Sequence, residues 1–361
     1  MILQRAPHRA LFFASGAPSK ICQKMLVFIL FLLWNKGPRH KCRSKKEPRM
    51  KQLLALTTLV LALNAHAEIK VIYGKDNRQD IYQVSDALHK KLAASTAGMI
   101  NVGHFVKSSK QGFFDLQSTP TLERGQNLCP SEAFSQQPLA ATCSGFLVGP
   151  DTIVTAGHCY KAQDTPENVC KKFAWVFDYD MKSASHNPTK NIPISNVYVC
   201  KKVMAAELNG TQDFAVIKLD RPVVGRAPLK FRTTGKVSPS TSLVVIGHPS
   251  GLPTKVSPAG KVTRNSEATR FSTTLDTFHG NSGSAVFDAK TGLVEGILIQ
   301  GKNDYVPSKK DDLKSCMVVN KCDDNGNNCT AGQEIGPIQW GEVVLRIESV
   351  AKVINASLQA K

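Results

Sequence analysis

Three short stretches of the 361-residue chain decide its fold: TAGHC at residues 155–159, DFAVIKL at 213–219 and GNSGS at 280–284. Each adjoins a short run of apolar or β-branched residues, which is typical of a buried β-strand. At the ends of these runs the stretches carry a histidine, an aspartate and a serine. They therefore predict strands and also a place where three reactive side chains meet.

The chain from about residue 97 onward repeats this pattern, with short apolar runs separated by Gly, Pro, Asn and Ser. The clearest hairpin is predicted from strands at 143–148 and 152–155, joined by the turn sequence GPD at 149–151. Further strands are predicted at 172–177, 214–219, 243–246, 285–287 and 294–300. The pattern predicts an all-β barrel or sandwich.

A single helix is predicted at the end of the chain, at about residues 346–358. Apolar residues recur there at spacings of three and four, which gives one apolar face for packing onto a barrel. They are Val344, Ile347, Val350, Ala351 and Ile354.

His158, Asp213 and Ser282 are candidate catalytic residues. Hydrolysis of a peptide bond by a serine requires its alcohol, a base within hydrogen-bond reach, a carboxylate that orients the base, and donors for the developing oxyanion. The chain order is histidine, aspartate, serine. The nucleophile elbow of α/β-hydrolases also has the pattern Gly-x-Ser-x-Gly, but there the order is serine, acid, histidine. The order therefore excludes the α/β-hydrolases.

The three stretches resemble the signature segments of trypsin-like serine peptidases, in the order found in that family. The stretch at 71–78, GHP at 247–249 and Asn281 resemble its bacterial V8-like, or glutamyl-endopeptidase, branch. The resemblance implies two antiparallel six-stranded β-barrels of the chymotrypsin-like kind, at about 95–235 and 236–345, with the active site in the cleft between them.

The same resemblance implies a role for each site residue. Ser282 would be the nucleophile, His158 the general base and then acid, and Asp213 the orienting carboxylate. The backbone N–H groups of Gly280 and Ser282 would form the oxyanion hole, and Cys143 would pair with Cys159. No cofactor or metal is implied.

Substrate specificity has two interpretations, which both depend on the residues of the primary pocket. Asp276 stands six residues before Ser282, the position at which trypsin-like members select Lys or Arg by a charge-assisted hydrogen bond. Thr277, Gln300 and Gly301 would line the same pocket. Alternatively, Asp276 is structural and pairs, for example, with a buried amino terminus.

Cleavage after Glu is the competing specificity that the V8-like resemblance suggests. Glutamate-specific members use a histidine on the strand after the serine, together with a hydroxyl beside the pocket. Thr277 supplies a hydroxyl, but Leu298 stands where that histidine is expected. Cleavage after Lys or Arg is therefore the first expectation.

The N-terminal region is expected to direct export. Residues 50–67 have the basic start, short apolar run and small residues of a secretory signal peptide. Residues 1–49 are then interpreted as an extension from a start codon assigned too far upstream, and 68–94 as a surface-running leader or propeptide, with a cut between Lys70 and Val71. We expect an extracellular or periplasmic protein without a stable membrane anchor after signal cleavage.

The eight cysteines between residues 129 and 329 are even in number, which in an exported protein predicts disulfides. We expect Cys170 to pair with Cys200, and Cys129 to pair with one of Cys316, Cys322 and Cys329. No Cys-x-x-Cys pattern is present, so a zinc site is not expected.

The charge distribution gives no reason to expect a nucleic-acid partner. Of the net +18, residues 1–67 contribute 12 Lys and Arg against the one acid Glu47, and the remainder has 34 basic and 27 acidic residues. That moderate excess of positive charge is not arranged as a basic stripe with aromatic residues.

We expect a monomer that acts on polypeptides. The alternatives are an inactive binding protein on the same fold and an esterase.

Overall fold

Strands are the main regular secondary structure in the part of the chain that the computed structural model describes. The described residues are 72–162, 164–301, 304–308, 316–324, 328–330 and 341–360. The expected extension, the signal peptide and the cut between Lys70 and Val71 lie outside them. No helix in this part of the chain is long and apolar enough to span a membrane.

The elements are numbered in chain order. The strands are β1 (Ile72–Tyr73), β2 (Gln79–Asp80), β3 (Thr96–Asn101), β4 (Phe105–Lys107), β5 (Phe113–Leu116), β6 (Ala141–Gly149), β7 (Thr152–Thr155), β8 (Phe173–Phe177), β9 (Ile192–Pro193), β10 (Val197–Leu208), β11 (Asp213–Leu219), β12 (Ser242–Gly247), β13 (Lys255–Arg264), β14 (Arg270–Thr273), β15 (Ala285–Asp288), β16 (Val294–Gln300), β17 (Tyr305–Pro307), β18 (Met317–Val319), β19 (Lys321–Cys322) and β20 (Glu342–Arg346). The α-helices are α1 (Ala87–Ala93), α2 (Leu122–Gln126), α3 (His158–Lys161), α4 (Pro166–Lys172) and α5 (Ala351–Gln359).

The first barrel is closed by six antiparallel strands in the order β10, β11, β7, β6, β3, β8. It contains the predicted hairpin, in which Phe146 pairs with Val154. The strand predicted to start at residue 172 starts at Phe173, because helix α4 occupies the preceding residues. Thr165 caps that helix by accepting a hydrogen bond from the N–H of Asn168, and Pro166 opens it.

The second barrel has the strand order β12, β15, β16, β20, β14, β13, and pairing of β13 with β12 closes it. The prediction of two six-stranded antiparallel barrels is confirmed. Strand β2 adds to the outside of β13, with Asp80 opposite Lys255.

One apolar core joins the two barrels. Phe146 and Phe214 from the first barrel pack in the same buried cluster as Val244 and Phe287 from the second. Ile354 of α5 completes this cluster with none of its surface exposed. The predicted C-terminal helix is thus present, although it begins after residue 346 because a 3-10 turn at Ile347–Ser349 precedes it. Burial of such side chains holds the walls of the interbarrel cleft in place.

The N-terminal segment differs from the surface-running leader that the sequence suggested. Ile72 is fully buried, and β1 pairs in parallel with β19. The carboxylate of Asp80 lies 2.6 Å from Nζ of Lys255, and both side chains are almost fully buried. The described part of this segment therefore belongs to the folded domain. Strands β1 and β2 have only two residues each, so no alternation in the sequence could reveal them.

Four disulfides fasten the described structure: Cys129–Cys316, Cys143–Cys159, Cys170–Cys200 and Cys322–Cys329. These pairs agree with the expected ones. Two of them hold what is here called the arm, residues 304–308 and 316–322, in which β17 pairs with β18. The arm is attached to the first-barrel side at residue 129 and to the N-terminal segment through β19.

Candidate active site

His158 is the first residue of α3, three residues after the last residue of β7. A side chain at the preceding Gly157 would place its Cβ 1.9 Å from the carbonyl oxygen of Glu207, so only glycine lets the chain pass β10 this closely. The neighbouring Cys159 is bonded to Cys143 on β6. The histidine is thus fixed in position by the first barrel on two sides.

Asp213 opens β11 and binds His158 at two points. Its Oδ1 accepts the backbone N–H of His158 at 2.8 Å, and its Oδ2 lies 2.8 Å from Nδ1 of the ring. Because a carboxylate only accepts, Nδ1 carries the proton in this pair, and Nε2 of the neutral ring is left as an acceptor. The arrangement fixes both the orientation and the tautomer of the imidazole.

Ser282 reaches this site from the second barrel, in the turn before β15. Its carbonyl oxygen accepts the N–H of Ser144 at 2.8 Å and lies 3.9 Å from Sγ of Cys159, next to His158. Among the described contacts, no hydrogen bond joins the Ser282 hydroxyl to the His158 ring. Rotation about the Cα–Cβ bond moves that hydroxyl, and catalytic hydrogen bonds commonly tighten only when substrate binds.

The hydroxyl of Ser144 binds the backbone of the turn at residues 279–283. The hydroxyl of Ser144 donates to the carbonyl oxygen of Gly280 at 2.8 Å and accepts the N–H of His248 at 2.9 Å. In the described part of the chain, the N–H groups of Gly280 and Ser282 donate to no protein acceptor. Both donors predicted for the oxyanion hole are therefore without a protein partner in the described structure.

Asp276 does not lie as a pocket-floor selector would. It is 1% exposed, and its two oxygens accept the N–H groups of Tyr73 at 2.9 Å and Asn77 at 3.3 Å. Burial raises the pKa of this carboxyl to about 7. The expectation that Asp276 binds a substrate Lys or Arg is corrected by these contacts, because its acceptors are occupied by the N-terminal segment. Its structural interpretation fits them.

The other residues predicted for the pocket differ in their exposure and contacts. Thr277 is fully buried and donates its hydroxyl to the carboxylate of Glu342. Gln300 is exposed at the end of β16, and Gly301 follows it as a buried residue. Leu298 belongs to the core of the second barrel, so its side chain is not at a substrate surface.

Glu342 and Ser144 are site residues that the sequence analysis missed. Glu342 is a fully buried acid at the start of β20, and an acid directly before three apolar residues was a signal that could have been used. Ser144, also fully buried, had no such signal because serine is common in strands and turns alike.

The described residues contain one cluster of potential metal-binding side chains, formed by Cys143, His158 and Cys159. Both of its cysteines are bonded to each other in a disulfide and offer no thiolate. This cluster therefore does not suit a metal ion.

Comparison with known proteins agrees with this geometry. Residues 143–297 match the family model of the trypsin-like peptidase domain. None of the curated protein sequences compared with the chain matches it.

Solved structures with a similar fold include a Glu endopeptidase in complex with MPD, at 16% identity and a TM-score of 0.42, covering 80% of this chain and 100% of that one. They also include a protease from M. tuberculosis in its active form, at 13% identity and a TM-score of 0.40, covering 90% and 96%. A third is an inactivated protease paralogue of the scabies mite, at 13% identity and a TM-score of 0.44, covering 81% and 98%. At this level of sequence identity and structural similarity, the activities of these proteins are not assigned to this chain.

Proposed function

We propose that this chain is an exported trypsin-like serine endopeptidase whose catalytic residues are Ser282, His158 and Asp213. The observation that carries the proposal is the two-point hydrogen bonding of His158 by Asp213, at 2.8 Å for both the backbone N–H and the ring Nδ1. In the neutral ring this bonding puts the proton on Nδ1 and leaves Nε2 as the acceptor that a general base requires.

The reaction follows from that state. Nε2 of His158 takes the proton of the Ser282 hydroxyl while Oγ bonds to the carbonyl carbon of the scissile peptide. The resulting oxyanion accepts hydrogen bonds from the N–H groups of Gly280 and Ser282. The C–N bond then breaks as His158 donates its proton to the leaving amine, and water repeats the sequence to release the acyl group from Ser282.

Asp213 serves both halves of this cycle. Its carboxylate keeps the imidazole in one tautomer in the resting state and stabilises the imidazolium that forms in each transition state. The Asp213 side chain is only 11% exposed, against 29% for His158. Their interaction is thus partly shielded from water, which strengthens it.

We propose cleavage after Lys or Arg, favoured by the negative potential of the acids Glu342 and Asp276 rather than by a direct hydrogen bond, because both side chains are buried. The support is that Glu342 accepts the hydroxyl of Thr277, five residues before Ser282. A second buried acid, Asp276, adjoins this pair in the chain. The nearby cation Arg78 is bound to Asp76 at 2.7 Å, so it does not favour a substrate glutamate.

Export is supported by the four disulfides of the described structure, because such bonds persist in oxidising compartments. The signal-peptide pattern at 50–67 provides the route. N-terminal sequencing of protein secreted by a bacterial host tests this proposal. A first residue within 68–72 is expected, and a chain that retains residues 50–67 would contradict it.

Labelling with a phosphonofluoridate tests the catalytic assignment. We expect the reagent to modify Ser282 in the wild type and in Ser238→Ala, which alters an exposed serine, but not Ser282→Ala. An unlabelled wild-type protein would favour the alternative, an inactive binding protein.

Cleavage of a peptide library then tests specificity. Cuts after Lys and Arg that weaken in Glu342→Gln support the proposal, whereas cuts after Glu contradict it.

A further inference from the structure

Residues 248–251, here called the supporting turn, lie directly behind Gly280. A Cβ atom on Gly280 would lie 2.6 Å from the carbonyl oxygen of His248 and 2.8 Å from the nitrogen of Gly251. The supporting turn is itself closed by a hydrogen bond of 3.0 Å from the N–H of Gly251 to the carbonyl of His248. The position of Gly280 therefore depends on the conformation of this turn.

Ser250 has an unusual backbone conformation in the supporting turn. Its φ of 55° and ψ of 13° are left-handed, a region that residues other than glycine rarely adopt. In this conformation the N–H of Ser250 donates a hydrogen bond to the carbonyl oxygen of His279. Unfavourable backbone conformations persist where the surroundings impose them, and they concentrate at functional sites.

The orientation of the His279 carbonyl determines the direction of a catalytic donor. The carbonyl of His279 and the N–H of Gly280 belong to one planar trans peptide unit, so they point in opposite directions. While Ser250 holds the carbonyl, the N–H of Gly280 faces away from the supporting turn. Rotation of this peptide would withdraw the donor from the oxyanion hole and present a carbonyl oxygen instead.

The arm contacts the Ser250 side chain, whose backbone N–H binds the carbonyl of His279. The hydroxyls of Ser250 and Tyr305 share a hydrogen bond of 2.5 Å, and the Tyr305 ring packs against Phe278 at 5.5 Å between centroids. The residue before it, Asp304, accepts the N–H of His279 at 2.9 Å. Both polar groups of the His279 backbone are thus bound, one by the supporting turn and one by the arm.

The arm is in turn fixed to distant parts of the domain. Within the arm, the backbone N–H of Asn320 donates a hydrogen bond to the carbonyl oxygen of Asp304 at 2.9 Å. The disulfide Cys129–Cys316 and the pairing of β19 with β1 hold it to the first-barrel side and to the N-terminal segment. Tyr305 is therefore an anchored partner for Ser250.

We propose that Ser250 and Tyr305 are positioning residues for the oxyanion hole, acting through the peptide between His279 and Gly280. This inference rests on the proposed function, because it assigns the Gly280 N–H as an oxyanion donor. Neither side chain needs to touch the substrate. Their contribution is to keep the donor aligned before the tetrahedral intermediate forms.

The test compares Tyr305→Phe and Ser250→Gly with the wild type. Tyr305→Phe removes one hydroxyl and keeps the ring on Phe278, and Ser250→Gly removes the other hydroxyl at a residue type that accepts positive φ. The matched control is Tyr179→Phe, which removes a buried hydroxyl that donates to the carbonyl of Pro138 at 2.9 Å. The readouts are kcat and KM for a peptide ester, and the affinity of a peptide boronate, whose tetrahedral oxygen occupies the oxyanion hole.

We expect both variants to lower kcat at least about tenfold with KM within about twofold, since misplaced catalytic groups lose transition-state binding. The boronate should lose affinity by a similar factor, while a cleaved product peptide should not. Tyr179→Phe should match the wild type. The double variant should be no worse than the poorer single variant, because the two hydroxyls act as one unit.

Unchanged kcat in Tyr305→Phe would overturn the inference, as would an equal loss in Tyr179→Phe. If Ser250→Gly fails to fold, Tyr305→Phe alone decides. Failure of the proposed function is recognised separately, since the wild type would then not be labelled at Ser282 by a phosphonofluoridate and the inference would fall with it. Labelled Ser282 together with kinetically normal variants would overturn the positioning role alone.

Discussion

The backbone N–H of Tyr73 donates to Oδ1 of Asp276 at 2.9 Å, although 203 residues separate them in the chain. The bond ties the N-terminal segment to the strand end that leads into the turn of Ser282. The segment is thus part of the wall beside the proposed active site. The local structure that leads into the turn of Ser282 therefore depends on residues 72–80.

Asp276→Asn should destabilise the domain. The amide keeps one acceptor for Tyr73 but turns an NH₂ group toward the N–H of Asn77, and a buried donor left without an acceptor costs about 1–3 kcal/mol. Urea unfolding at pH 5, where the raised pKa leaves the folded-state carboxyl mostly neutral and burial of its charge does not oppose the effect, measures the loss. Glu167→Gln, on the surface of α4, is the control and should change stability little. Equal stability of the two variants would show that Asp276 does not anchor the segment.

Asp213→Asn should lower kcat by about 10⁴-fold while the fold is retained. The asparagine amide places a donor where Oδ2 now faces Nδ1, so the ring of His158 would expose a protonated Nε2 that cannot accept the serine proton. Steady-state kinetics and thermal unfolding measured together separate this effect from unfolding. A loss of less than tenfold would contradict the assigned role of Asp213.

Sequence patterns identified the parts of this site whose signal is local. A histidine, an acid and a serine beside strand ends can be recognised within windows of five to seven residues, and the strands that carry them follow from apolar runs. The C-terminal helix was predictable for the same reason, because Ile347, Val350 and Ile354 recur with a helical period and are buried.

Contacts between distant residues with no period were not predictable. Nothing near Asp276 in the chain indicates that its partners are at residues 73 and 77, and its position six residues before Ser282 favoured a substrate selector instead. Ser250, Tyr305 and Asp304 likewise meet only because the arm folds back over the turn of Ser282. Two-residue strands such as β1 leave no alternation to detect, so the N-terminal segment was assigned to the surface.

His248 and Asp276 should give stability opposite dependences on pH. Burial lowers the pKa of His248 to about 4, against about 6.5 in an unfolded chain. Between these values the unfolded chain binds a proton that the folded one excludes, so the contribution of His248 to the unfolding free energy decreases as the pH falls from about 6.5 to 4. Asp276, with a pKa raised to about 7, is protonated first in the folded state, so its contribution increases as the pH falls from about 7 to 4.

Variants separate the two contributions. His248→Phe, which keeps a ring beside Tyr179, should lose less stability than the wild type when the pH falls from 6.5 to 4, and Asp276→Asn should lose more. Denaturant unfolding at pH 4, 5, 6 and 7 provides the comparison. Parallel curves for both variants and the wild type would contradict the assignment of either group.

Gly280→Ala and Gly225→Ala should have different effects, although both residues have positive φ, +90° and +76°. A left-handed alanine costs about 1–2 kcal/mol at either position. At Gly225 no other atom lies within 4 Å of the added Cβ, so strain alone should reduce stability and kcat should not change. At Gly280 the Cβ would lie 2.6 Å from the carbonyl oxygen of His248, which must move and displace the oxyanion donor, so kcat should fall by about 10²-fold or more. Urea unfolding and kcat measured on both variants decide the matter, since equal activity in the two would mean that the Gly280 amide does not serve the reaction.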